Sequence, residues 1–322
     1  MANLIKAASS DTNQERCMQR YLIIGASSFI GEHLYKYCKR KGFNVLGTYY
    51  DHPYNSEWIR FDLCTDSLNK ICENYLDGTL PDAVIICSAN TNIDDCKKNE
   101  AASKDLNISG TKRFLEQAGQ KGIKSVFLSS EAVFDGERGL YTEKDEPAPI
   151  TFYGKQKLQI EQYMIQNLNK YLIFRISRAV GSSFGEKDIF NEFYNKIINQ
   201  EEIICLKNQS FCLTEVDDIA EYIVSALIND INGLYHLSSA NYISRYKLAY
   251  LYAEKVFGGY ENIVEKEYSE IAFLDNRHVY GGLRGDKLTN LLGIHYMGIT
   301  EILDKYVRTY EVEKLGKFIE IK

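Results

Sequence analysis

The sequence has no block of basic residues of the kind that tracks a phosphate backbone, and its formal net charge is −6. Both facts argue against a nucleic-acid partner, and a negatively charged ligand would need a local site. None of the eight cysteines (Cys17, Cys38, Cys64, Cys72, Cys87, Cys96, Cys205, Cys212) forms a C-x-x-C pair, and no Cys/His cluster has zinc spacing. No metal is therefore expected, and the thiols read as reduced and mostly buried. The chain also lacks a charged-then-apolar leader and any apolar run of about 18 residues. Neither a signal peptide nor a membrane span is indicated, and the expected location is the cytoplasm. No internal repeat or low-complexity linker divides it.

What is present is enough apolar material for a sizeable core: 45% of 322 residues are hydrophobic. The length exceeds the usual single-core limit of about 250–300 residues, so one large domain with a satellite lobe is expected. Residues 1–20 are polar, without a sustained apolar period, and read as a loose tail.

The stretch Tyr21 to His33, YLIIGASSFIGEH, starts as a short apolar run typical of a buried parallel strand and becomes helical near Phe29. This is the strand, turn and helix start of a dinucleotide site. Gly25 permits the sharp turn, Gly31 lets the helix lie close to the strand, and the helix start (Ser27, Ser28, Phe29, Ile30) faces a pyrophosphate. The middle glycine of the fingerprint is missing. Ser28 stands in its place, crowding the backbone approach while offering a hydroxyl that can donate to an oxygen. A Gly-flanked turn without a ligand is the alternative reading.

Strand and helix then alternate. Ile30, Leu34, Tyr37 and Cys38 share a helical face that ends at Gly42, and Asn44 to Tyr49 forms the second strand. Asp51 falls about 20 residues after the motif, where an acid holds the adenosine ribose, but the strand tip lies earlier, at Thr48 or Tyr49. No Arg cradle for a 2′-phosphate is present either, so NAD and NADP both remain open. Asp62, with Leu63 beside it, is either an acceptor for the adenine amine or a turn residue. Val84 to Cys87 is a strand ending in Ser88, Ala89 and Asn90, which leave room for a cofactor. Ala101 to Gly119 reads as one long helix with Asn107 inside it, an unfavourable place that asks for a reason. Ser125 to Leu128 is the next strand and runs into Ser129-Ser130-Glu131. The pattern implies an α/β fold with a doubly wound parallel sheet and ligands at its C-terminal strand ends.

Beyond Ser177, Asp188 to Asn199 is a helix suited to a lid or to ordinary lobe packing. Asp217 to Leu227 returns to the main sheet, and Gly233 to Leu237 adds a strand. Residues 21–177 plus about 211–238 are expected to form the NAD(P)-binding domain. Residues about 178–210 plus 239–322 form a smaller, mixed, mostly helical substrate lobe, with the cleft between the two.

The chemistry is most visible at Tyr153-Gly154-Lys155-Gln156-Lys157. On a helix Tyr153 and Lys157 share a face, so an ammonium beside the phenol lowers its pKa from about 10, as an acid/base tyrosine requires. The spacing alone is uninformative, since Tyr35 with Lys39, Tyr37 with Lys41 and Tyr310 with Lys314 repeat it. Context separates Tyr153: Ser130 lies 23 residues earlier at a strand end, and the loop DGERGLYTEKDEPAP between them is long enough to wall a cleft.

The glycine-flanked turn, LSSEAVFDG and YGKQK resemble the extended short-chain dehydrogenase/reductase superfamily (a Rossmann fold). The phrasing is similar to the dTDP-4-dehydrorhamnose reductase family. NTNIDDC with NISGT, TEVDDIAEYIVSAL, GLYHLSS with SRYKLA, and LDNRHVYGGLRGDKLTNLLG agree in the same order, from Tyr21 to about Leu303. The resemblance implies that Ser130, in place of a Thr, and Tyr153 bind a keto oxygen, with Tyr153 as proton donor. Lys157 would hold the nicotinamide ribose, and Asn107 would support it through water. It also implies a nucleotide-sugar substrate and a homodimer formed through helices flanking the fourth and fifth strands.

Departures fall on the sugar side. Ala132 and Arg178 replace aromatic residues of the family pattern, and Arg277-His278 replaces an Arg-Pro. Glu131, Arg178, Asn191 and Arg277 are the candidate substrate residues. Arg178 either pairs with a substrate carboxylate or phosphate or makes a salt bridge to Glu186 or Asp188. The expected function is NAD(P)H-dependent reduction of a nucleotide-diphospho-sugar ketone. Two alternatives stand: a cofactor-binding non-catalytic regulatory subunit, since the resembled family contains one that partners methionine adenosyltransferase, and a sugar-nucleotide epimerase or dehydratase that retains its NAD.

Overall fold

A computed structural model of the chain describes residues 19–51 and 55–320, so residues 1–18 of the expected polar tail lie outside the described residues. The main domain carries β1 (Arg20–Ile24), β2 (Asn44–Tyr49), β3 (Ile59–Arg60), β4 (Ala83–Ile86), β5 (Lys124–Ser130) and β6 (Tyr171–Ile176). On β1, Tyr21 and Ile23 enter one core layer and Leu22 and Ile24 the other; on β4, Ala83 and Ile85 oppose Val84 and Ile86. Burial on both faces is why these strands read as unbroken apolar runs. Helices Phe29–Arg40 and Val216–Ile228 cover the first face, and Leu68–Tyr75, Thr111–Gln120 and Phe152–Asn167 cover the second.

The lobe contributes β7 (Arg178–Val180), β8 (Ile203–Leu206) and β9 (Ser210–Glu215), after which β10 (Gly233–Leu237) returns to the main sheet beside β6. The seven strands lie in the order β10-β6-β5-β4-β1-β2-β3, all parallel. This is the doubly wound Rossmann arrangement, with its switch point between β1 and β4. In the lobe, β11 (Tyr242–Ser244) and β7 flank β9, and β12 (Ile263–Lys266) pairs with β8. Its core is aromatic: Phe190 stacks on Tyr252 at 5.4 Å, and the Tyr252 hydroxyl donates to that of Tyr306 at 3.0 Å.

Two boundaries differ from expectation. Residues 211–215 belong to the lobe, because β9 pairs with β7 and β11 and buries Phe211 and Leu213 in the lobe core; the return to the main sheet begins at Val216. Helix Asp286–Leu292, expected in the lobe, instead places Leu288 and Leu292 in the main core. Among the described residues no helix is long and apolar enough to cross a membrane, and no group of three or more His, Cys, Asp or Glu is placed to hold a metal.

The two lobes are clamped at His33, on the helix that follows the opening turn. Its Nδ1 shares a hydrogen bond with Asp217 at 2.7 Å and its Nε2 with Glu186 at 3.2 Å. Burial opposes the charged ring, but the two carboxylates outweigh it and raise its pKa to about 9. A folded-state pKa above the unfolded value of about 6.5 adds stability that is full below that pH and lost as pH rises through 9. His33→Gln is therefore expected to lose on the order of 2 kcal/mol at pH 6 and far less at pH 10. Urea midpoints at the two pH values check this, and equal losses would refute the ion-pair account.

Candidate active site

Gly25 has a φ of +83°, and a Cβ there would lie 2.7 Å from the backbone nitrogen of Ser88. A Cβ on Gly31 would meet the Gly25 carbonyl oxygen at 2.2 Å. Glycine at these two positions is what brings β1, the helix start and the loop after β4 together. Gly25 N–H donates to Thr48 Oγ1 at 2.9 Å, which fixes the tip of β2 beside the turn. Ser28 caps the helix: its Oγ accepts from Gly31 N–H at 3.2 Å and donates to the Gly25 carbonyl at 2.7 Å. The hydroxyl is thus turned inward rather than toward a phosphate. The outward donors are the N–H groups of Phe29 and Ile30, which a helix start leaves without intrahelical acceptors, while Ser27 is half-buried in the turn. This cradle fits a pyrophosphate by its backbone donors and its helix dipole.

At the adenosine end Tyr49 is half-buried, Asp51 is exposed, and the Arg60 guanidinium lies 5.4 Å from the exposed Tyr50 ring. Asp62 is a turn residue, accepting from Cys64 N–H at 2.8 Å through Oδ1. Its Oδ2 has no protein partner among the described residues, so the turn reading and the acceptor reading coexist in one side chain. Leu63 beside it is buried.

Ser88, Ala89 and Asn90 line the C-terminal end of β4 and are each partly exposed. Asn90 is held from both sides by Asn107: its N–H donates to Asn107 Oδ1 at 2.9 Å, and its carbonyl accepts from Asn107 Nδ2 at 2.9 Å. Asn107 Nδ2 also donates to Gln156 Oε1 at 2.7 Å. The expected single helix over 101–119 is interrupted to allow this. A wide π turn, Asp105–Gly110, separates α-helices Glu100–Lys104 and Thr111–Gln120, a feature that recurs at functional sites. Asn107 supports the Asn90 loop and the neighbour of Lys157, with no direct contact to the lysine itself.

Ser130 ends β5, and Tyr153 and Lys157 lie on helix Phe152–Asn167, which Thr151 caps. Burial raises the Tyr153 phenol, and the Ser130 side chain beside it opposes that rise. Ser130 and Tyr153 therefore lie side by side at this end of the sheet. Lys157 Nζ donates to the Leu128 carbonyl at 2.8 Å and lies 5.6 Å from the centre of the Tyr153 ring. Burial pulls its own pKa down to about 8. The expectation that this ammonium makes the phenol acidic needs correction. In the chain alone the phenol is pushed up, because desolvation of a buried phenolate outweighs the Ser130 side chain, and the Lys157 ammonium, held against a carbonyl, does not offset it.

On the substrate side Glu131 Oε2 accepts from Ser177 Oγ and from Gly282 N–H, both at 2.6 Å. It therefore ties the end of β6 to the lobe rather than standing free. Arg277 is likewise engaged: it pairs with Asp94 at 2.7 Å and donates to the Asp275 carbonyl at 3.1 Å, bridging the lobe to helix Ile93–Lys98 instead of presenting open donors. Asn191 lies in the first turn of helix Ile189–Ile198, with its N–H on the capping Asp188. Arg178 makes neither of the expected salt bridges, since Glu186 is taken by His33 and Asp188 by backbone N–H groups.

Gln156, Ser177, the Thr48 hydroxyl and the buried pair Glu161–Arg175 also hold the site together without having been expected as site residues. Only Gln156 carried a signal, by lying between Tyr153 and Lys157 on the same helix.

The model described as RmlD substrate binding domain matches residues 19–311. Methionine adenosyltransferase 2 subunit beta of Xenopus laevis is 27% identical over 241 residues, covering 72% of this chain and 70% of that protein. The probable low-salt glycan biosynthesis reductase Agl14 of Haloferax volcanii is 25% identical over 258 residues, covering 79% and 84%. Among solved structures, the dTDP-4-dehydrorhamnose reductase of Bacillus anthracis in complex with NADP has a TM-score of 0.76 at 23% identity, covering 89% of this chain and 98% of that one, a likeness of fold. With 293 consecutive residues inside that model and the doubly wound sheet to match, the chain belongs to the RmlD substrate-binding domain family.

Proposed function

We propose that the chain is an NAD(P)H-dependent reductase of the keto group of a nucleotide-diphospho-sugar, with Tyr153 as proton donor. The observation that carries this is the meeting of Ser130, Tyr153 and Lys157 at the C-terminal edge of the sheet, on the same edge as the cradle at Gly25 and Gly31. A reduced nicotinamide supplies the hydride when bound. Ser130 and Tyr153 hold the keto oxygen, and Tyr153 gives it a proton as the carbonyl carbon gains hydride, so the ketone leaves as an alcohol. A phenol raised by burial stays protonated near neutral pH, which suits a donor. Lys157, with its pKa pulled to about 8, is placed to hold the cofactor ribose and return a proton to the phenol.

UDP- and dTDP-linked keto-sugars assayed with NADH and with NADPH, followed by absorbance, test the reading. Net cofactor oxidation with at least one pair supports it, and none with any pair ends it. Likeness to the methionine adenosyltransferase subunit favours a second reading, a cofactor-binding regulatory partner. That reading expects stable association with a methionine adenosyltransferase catalytic subunit and no keto-sugar turnover. An epimerase or dehydratase would convert its substrate without net cofactor oxidation.

A further inference from the structure

The arginines around the cleft have carboxylate partners, with one exception. Arg175 donates to both oxygens of Glu161, Arg245 pairs with Glu192 at 2.6 Å, and Arg277 pairs with Asp94 at 2.7 Å. Arg178 keeps solvent access along its side chain while burial around its guanidinium pulls its pKa below the ordinary arginine value, and among the described residues no carboxylate lies within 4 Å of it and no acceptor takes its N–H donors. Its guanidinium rests 5.2 Å from the centre of the Phe211 ring, and Phe211 is buried in the lobe core. The buried ring packs against the guanidinium, whose donors find no protein acceptor among the described residues.

The surrounding acids are engaged elsewhere. Glu131, the charge that acts most on Arg178, has Oε2 bound to Ser177 and Gly282. Asp188 accepts from three backbone N–H groups, and Glu192 holds Arg245. Position matters as much as partners. Ile176 pairs with Ser130 across the sheet, and Arg178 follows two residues later. Ser177 between them is tied to Glu131, the neighbour of Ser130, so Arg178 starts β7 just beyond the edge where Ser130 ends its strand. From there a side chain as long as arginine's is able to reach a sugar ring held at Ser130 and Tyr153.

We propose that Arg178 is a specificity-determining residue of the substrate site and that it takes a carboxylate carried by the sugar ring, in a bidentate pair. The inference rests on the reductase reading and names its substrate class: a keto sugar acid linked to a nucleoside diphosphate. The diphosphate is the other source of the same oxyanion chemistry, and the test separates the two.

Binding to the NADPH-loaded chain is measured by titration calorimetry for UDP, UDP-glucose and UDP-glucuronic acid, and for the thymidine counterparts. The two sugars differ in one carboxylate. The parent is expected to hold the glucuronic acid form roughly tenfold tighter than the glucose form or better. Arg178→Gln removes that difference, and Arg178→Lys restores only part of it. Three results overturn the proposal: no preference for the acid in the parent, no change in the variant, or an equal loss for UDP and both sugars, which assigns the arginine to the diphosphate. If the parent binds NADPH but no nucleotide sugar at all, the reductase reading itself fails. If a keto-sugar is reduced without any preference for the acid, that reading stands and this one falls.

Discussion

Tyr153→Phe is expected to lower kcat for keto-sugar reduction by roughly 10²–10⁴-fold, the range in which a positioned proton donor contributes. NADPH affinity should stay near that of the parent, because removing one hydroxyl leaves the ring, the Lys157 contact with the Leu128 carbonyl and the cradle at Gly25 in place. Single-turnover absorbance with saturating NADPH separates the two quantities. The pH profile adds an independent reading. Lys157 is charged below its pKa of about 8 and neutral above it, so activity should fall on the alkaline side near that value. A Phe variant as fast as the parent, with or without that limb, would remove Tyr153 from the chemistry.

Glu161→Ala is expected to destabilise the fold by about 3–5 kcal/mol. Glu161 lies one turn beyond Lys157 on the same helix and is 1% exposed. It receives Arg175 Nε at 2.9 Å, Arg175 Nη2 at 2.6 Å and the Ser129 hydroxyl at 2.5 Å. Truncating the acid leaves the Arg175 guanidinium, 4% exposed, with an uncompensated charge in the core. The double replacement Glu161→Leu with Arg175→Met removes both charges and should recover most of the loss. Urea unfolding of the three proteins decides the matter, and a single variant no weaker than the double would mean that the pair is not electrostatically coupled.

The parts of this fold that were legible in the sequence share a local cause. β1 and β4 announce themselves because both faces are buried, and the opening turn does so because Gly25 and Gly31 stand where a Cβ would collide. Ser130 and Tyr153 were legible jointly, through their order and spacing along the chain, although neither position was distinctive alone. The illegible parts depend on partners far away in sequence. His33 meets Asp217 across 184 residues, and Arg277 meets Asp94 on the other lobe. Residues 211–215 were expected in the main domain because their apolar residues do not say which sheet they join, and β9 joins the lobe. The phenol was misjudged for a different reason: spacing places an ammonium nearby but carries no information about desolvation, which here dominates.

The wide turn at Asp105–Gly110 sets a condition on how this segment can change over time. A π turn holds one residue more than the regular helix it interrupts. Deleting any single residue there would restore the ordinary winding and swing Asn107 by about 100° around the axis, away from Asn90 and Gln156 at once. Side chains along 100–120 other than Asn107 and Ser103, which hold Asn90 and Gln156, can drift under selection, but the number of residues between them cannot, so a lineage that keeps this function should show gaps on either side of the segment and none within it.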